Sequence, residues 1–94
     1  MKIGVLTLHL HLPGCTSLKE KRGRIKPVLS RLHREYNLAT AEIDLQDQWQ
    51  NAVIAAVTVS NDATHVRQML QTVVDFMAIH SANVEVVDNQ IELI

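Results

Sequence analysis

Lys2 to Leu12 alternates without a break. Leu6, Leu8, Leu10 and Leu12 take one side, and Ile3, Val5, Thr7, His9 and His11 the other. A period of two with one fully apolar side predicts a half-buried strand, which Pro13-Gly14 ends. The period then changes. From Ser17 to Tyr36, Leu18, Ile25, Leu29, Leu32 and Tyr36 recur at helical spacing with Val28 beside them, a narrow stripe on an amphipathic helix. Ser17 followed by Glu20 predicts a capping box at its start, and Asn37 a C-cap. Gly23 and Pro27 lie inside the helix on its solvent side. Proline costs a helix interior roughly 3 kcal/mol, and its crowding falls on the carbonyl four residues back, here that of Gly23. One bent helix is expected rather than two.

Further strands are predicted over Leu38–Leu45, with Thr40, Glu42 and Asp44 on the polar side, and over Trp49–Ser60. The latter is apolar on both sides and therefore central. Asn61-Asp62 closes that strand and caps a second helix from about Ala63 to Ser81, striped by Val66, Met69, Leu70, Val73 and Met77. Asn83 closes it, and a last strand runs from Val84 to about Ile94. The order βαββαβ is that of an α+β ferredoxin-like split βαβ sandwich. Its antiparallel sheet has strand order 4-1-3-2, with two helices on one face. The other face is left bare. By the alternation it carries Ile3, Val5, Thr7, His9 and His11, with Thr40, Glu42 and Asp44, and it is too apolar for water in part. A homodimer interface on that face is the expectation.

Ninety-four residues without a linker or repeat make one domain, residues 1–94. With 47% hydrophobic residues but one each of Trp, Tyr and Phe, the core is aliphatic. The single cysteine excludes an internal disulfide and a multi-cysteine zinc site. Neither a leader-like segment nor a membrane-length apolar run is evident, so the cytoplasm is the expected compartment and no membrane partner is expected.

The net charge of −1 argues against strong indiscriminate nucleic-acid binding, but its layout is uneven. Met1–Asn37 holds eight Lys/Arg against Glu20 and Glu35, a balance of 8 − 2 = +6, and the remainder holds Arg67 against eight acids, 1 − 8 = −7. Such a dipole steers a polyanion to one side, or a second copy head to tail.

The strand ending L-x-L-x-L-P, then S-L-K-E-K-R, Ala41-Glu42, Asp47, Trp49-Gln50 and Ser60-Asn61-Asp62 together resemble the YlxP-like family of small bacterial proteins of unknown function. The resemblance covers nearly the whole chain. It implies a ferredoxin-like fold, a dimer, and a link to translation or ribosome maturation. It supplies no catalytic residues, and Gly23 and Pro27 depart from the family's more ordinary helix.

No motif names a reaction. The strongest signal is the basic helix: Lys19, Lys21, Arg22, Arg24, Lys26, Arg31 and Arg34 are candidates for binding RNA or another anion. Lys21 and Arg22 stand near enough to the helix start to hold a phosphate with free backbone N–H groups. An ordinary solvated face accounts for the same pattern. No aromatic platform of the RRM kind supports base stacking, so contact would be to backbone or shape.

His9 and His11 are spaced to converge on a metal, with Glu42 or Asp44 as oxygen donors. The intervening strand makes that awkward, and a place on an interface suits the pair better, so neither metal nor cofactor is expected. Cys15, in a loop before a helix, reads as a bystander thiol. Trp49 and Gln50 read as a lock on the hairpin, with Trp49 covering a core edge, and Ser60-Asn61-Asp62 as a cap.

Two further readings stand beside the binding module. A purely structural homo-oligomer uses the same charge dipole. A small phosphate-ester or acyl-phosphate hydrolase needs an anion cradle beside an activated water, and Pro13–Ser17 has neither the glycines nor the arginine for one.

Overall fold

The computed structural model describes residues 1–80 and 83–94. It contains β1 (Lys2–His11), α1 (Leu18–Tyr36), β2 (Ala39–Asp44), β3 (Asn51–Ser60), α2 (Ala63–His80) and β4 (Glu85–Leu93). The sheet order is β2-β3-β1-β4, and every pairing is antiparallel. This is the ferredoxin-like sandwich that the periodicity predicts. The expected end of the second helix at Ser81 lies outside the described residues. No helix among them is long and apolar enough to cross a membrane.

The alternation of β1 places the core. Leu6, Leu8, Leu10 and Leu12 are fully buried beneath the helices, against Ala52, Ile54 and Ala56 of β3. α2 adds Val66, Leu70, Val73 and Met77, and α1 adds Ile25 and Leu32. Burying each large aliphatic side chain contributes about 1.5–3 kcal/mol. Gly4 lets α2 settle onto β1, because a Cβ there would collide with Val66 and press on Leu70.

α1 runs unbroken through Pro27. Its start differs from a reciprocal capping box. Ser17 Oγ accepts the Glu20 N–H at 3.0 Å, but the Glu20 carboxylate reaches back to the Thr16 N–H at 3.0 Å and the Thr16 hydroxyl at 3.1 Å. Asn37 ends the helix in the left-handed region at φ 53°, as a C-cap requires.

The β2–β3 hairpin is shorter than its apolar pattern suggests. Leu45 turns left-handed at φ 60°, ends the extended run, and accepts the Gln48 N–H at 3.0 Å across the turn.

One expectation about the bare face is overturned. Thr40 pairs with Ala56 and Glu42 with Ile54, so both lie on the helix-covered side rather than in the open. Thr40 donates to the Leu29 carbonyl at 3.1 Å and Glu42 meets Lys21, so a partner from α1's side of the sheet satisfies each of these polar side chains. A register shift between Glu42 and Asp44 puts Asp44 opposite Val53, on the bare side. Ile3, Val5, Thr7, His9 and His11 are on that side as expected, opposite Val59, Val57, Ala55, Val53 and Asn51 of β3. The bare face is thus apolar toward β3 and acidic toward β4, where Glu92, Asp88 and Glu85 stand opposite Val5, His9 and His11.

Candidate functional site

The cations of α1 divide into two sets. Lys19, Arg22, Lys26 and Arg34 are exposed and make no salt bridge among the described residues. Lys19, Arg22 and Lys26 follow the spacing i, i+3, i+7, which lines them up along the outer surface of a helix over about 10 Å. Ser30 and His33 continue the row, so the ridge is polar throughout.

Lys21 leaves the list of anion-binding candidates. It is only 2% exposed, and its ammonium lies 2.7 Å from Glu42 Oε2 and donates to the Leu45 carbonyl at 2.7 Å. The aliphatic stem runs among apolar neighbours while its charge reaches a partner at the edge of β2. Among the described residues Glu42 Oε2 has no further hydrogen bond, so the ion pair is what offsets its desolvation there.

Arg24 is also committed to structure, with its side chain 16% exposed. It donates to Glu20 at 2.8 Å, to the Pro13 carbonyl at 2.7 Å and to the Asn83 carbonyl at 3.2 Å, joining α1 to the loop before it and to the segment that leads into β4. The Thr16 backbone N–H, followed by the Arg24 guanidinium, holds the Glu20 carboxyl below its ordinary value of 4.5. Arg31 pairs with Glu35 at 3.2 Å and lies 4.5 Å over the Phe76 ring, so it belongs to the side of α1 that faces α2.

The remaining candidates separate in space. His9 and His11 share the bare face, whereas Glu42 lies across the sheet from them, and no metal-holding cluster occurs among the described residues. His9 Nε2 is covered by its neighbours and has no hydrogen-bond partner among the described residues. Cys15 is fully buried, its thiol 3.5 Å from the Ser17 carbonyl, and so is closed to reagents.

Trp49 does not cover a core edge, being 51% exposed at the hairpin tip. Gln50 is the lock instead: its carbonyl accepts the Leu12 N–H at 2.8 Å and its side chain donates to the Cys15 carbonyl at 3.4 Å. Asp62 caps α2 by accepting the Thr64 and His65 N–H groups at 2.9 and 3.2 Å.

The Lys21–Glu42–Leu45 link is the arrangement that sequence reasoning missed. Its signal was position: Lys21 precedes Ile25 by four residues and Leu32 by eleven, inside the buried stripe rather than beside it.

A four-stranded antiparallel sheet under two helices defines a ferredoxin-like α+β domain. More particularly, the chain belongs to the family described as protein of unknown function DUF503, whose pattern matches residues 3–91. It is 36% identical over 61 residues to the uncharacterized protein YlxP of Bacillus subtilis (strain 168), a match spanning 65% of this chain and 66% of that protein.

Among solved structures it is similar to the NE2512 protein of unknown function from Nitrosomonas europaea, with TM-score 0.57, 11% identity, and coverage of 100% of this chain and 88% of that one. It is also similar to SnoaB, a cofactor-independent oxygenase from Streptomyces nogalater, with TM-score 0.52, 12% identity, and coverage of 99% and 90%. At these identities the likeness shows the fold alone.

Proposed function

We propose that this chain is a non-catalytic binding module that meets RNA, of the ribosome by preference, along the outer ridge of α1 and pairs with a second copy through the bare sheet face. The observation that carries the RNA reading is the division of α1's cations. Lys21 and Arg24 are spent on the fold, while Lys19, Arg22, Lys26 and Arg34 remain exposed without a salt-bridge partner among the described residues. Exposed, unpaired Lys and Arg in a row neutralise phosphates at little desolvation cost, and binding releases the counterions that phosphates carry.

The bare face supports the self-pairing. Ten-residue strands β1 and β3 lie at its centre, lined by Val5, Val53, Ala55 and Val57. Three strands roughly 30 Å long and the six-residue β2 at about 20 Å, spaced about 4.8 Å apart, offer on the order of 500 Å² a side, or about 1,000 Å² in a pair, the least that a biological interface is expected to clear. The acidic β4 side then forms a polar rim. A structural homo-oligomer without RNA instead sets the basic segment of one copy against the acidic segment of another, and the two readings part at the α1 ridge.

Co-sedimentation with ribosomal subunits across a salt series tests the proposal. Association that weakens with salt, and is lost when Lys19, Arg22, Lys26 and Arg34 are changed to Gln without loss of the dimer, is the expected result. No association at any salt concentration leaves only the homo-oligomer.

A further inference from the structure

β3 outruns its neighbour. β2 begins at Ala39, opposite Val57, so Thr58, Val59 and Ser60 continue β3 with no strand on that side. The cause lies in α1. Its C-cap Asn37 turns left-handed at φ 53°, which carries the chain away from the position opposite Val59.

The alternation of ladder bonds identifies what is left open. Ile3 donates to the Ile94 carbonyl at 3.2 Å and accepts the Ile94 N–H at 2.8 Å, so both of its main-chain groups point away from β3. Val59, opposite Ile3 in β3, therefore forms a non-hydrogen-bonded pair with it and turns its own N–H and carbonyl to the vacant side. Neither group has a hydrogen-bond partner among the described residues. An open donor and acceptor on one extended residue are what an added strand needs.

The other free edges of the sheet are defended. β2 has a register shift between Glu42 and Asp44, and β4 has one opposite His9 and Leu10 besides the charges of Glu85, Asp88 and Glu92. Val57 to Ser60 carries no charge or proline, and Val59 is 61% exposed. Two hollows of about 270 and 370 Å³ meet at Asn37, Thr58 and Val59, the first walled by Tyr36 and His65 and the second by Leu38.

Charge complementarity names the occupant. Lys2 stands opposite Ser60 and Arg34 lies in the last turn of α1, both exposed and without a salt bridge among the described residues. Two acids at this end are already engaged, Asp62 in capping α2 and Glu35 with Arg31. We propose that the notch at Val59 takes an extended acidic segment of a partner protein as an added strand. One residue of the segment exchanges two main-chain hydrogen bonds with Val59, and its side chain lies beside that of Val59. The residues before and after it point to the helix-covered side, where their carboxylates are drawn to Lys2 and Arg34. This site requires neither the RNA ridge nor the pairing of sheet faces.

The test is titration of the intact, isotope-labelled chain with acetyl-Val-Glu-Val-Glu-Val-amide, read from the amide shifts of Val59, Ser60 and His65. The same peptide with N-methylated valines lacks the main-chain donors, and acetyl-Val-Lys-Val-Lys-Val-amide reverses the charge. Saturable shifts with the acidic peptide and at least tenfold weaker binding of either control are expected. Val59→Pro removes the open N–H where no ladder bond depends on it, and is expected to weaken binding at least tenfold with the circular dichroism spectrum kept. Should that variant fail to fold, the N-methylated peptide on the unsubstituted chain decides. No saturable shifts at millimolar acidic peptide, equal binding of either control, undiminished binding by a folded Val59→Pro chain, or an equal response of Val59 to an oligouridylate overturns the proposal.

Discussion

The inner and outer sides of α1 carry the same residue types and use them in opposite ways. Lys21 on the inner side is sealed against Glu42 and the Leu45 carbonyl, and its charge holds a left-handed turn in place. Lys19 and Lys26, two and five residues away, stand exposed without a carboxylate partner among the described residues. The difference is one of environment: a charge that has lost its water must have a partner, whereas a charge on a ridge is available to one. Counting cations along the helix therefore overstates the surface available to a polyanion, and position on the wheel corrects the count.

The largest expected break in this comparison is Lys21→Ala. It leaves Glu42 without its counterion and Leu45 without its donor, and should cost about 3 kcal/mol in urea unfolding. Lys26→Ala should stay within about 0.5 kcal/mol. Equal small effects at both positions would mean that the inner pair does not hold the hairpin.

Next comes the bare sheet face. Val57→Asp puts a charge opposite Val5 and Ala39, where two copies are expected to meet. Sedimentation equilibrium should show the dimer's mass halved with the fold retained by circular dichroism. A dimer that survives the substitution places the interface elsewhere.

A smaller effect comes from Glu20, whose carboxyl is held below 4.5 by the Thr16 N–H and then by Arg24. Its folded-state pKa is depressed, so its contribution is present above the unfolded-state pKa and is lost as pH falls through the folded-state value. Glu20→Gln should flatten that part of the acid unfolding profile. An unchanged acid profile would remove Glu20 as a contributor.

Much of this architecture was legible in the sequence because single patterns fixed it. Four leucines at a strict period of two placed β1 and its buried side, and Ser17 and Asn37 bracketed α1 by their capping chemistry. The βαββαβ order then left few ways to arrange the sheet. What was illegible depended on partners distant in sequence. Thr40 and Glu42 looked solvent-facing because they are polar, yet they share parity with buried Leu38, and α1 supplies their partners from above. Trp49 looked like an anchor because it is large, but the hairpin is secured through Gln50. Of the candidate ridge, the sequence showed the charges but not which were already taken.

The salt dependence of binding to a fluorescently labelled ribosomal RNA fragment tests the central claim most directly, with the unsubstituted chain and the Lys19, Arg22, Lys26 and Arg34 to Gln variant measured side by side. Four phosphate contacts predict a slope of log affinity against log salt of about −3 to −4, falling toward zero in the variant. Equal slopes for the two proteins, or no binding at low salt, would contradict the assignment of the outer face of α1 to RNA.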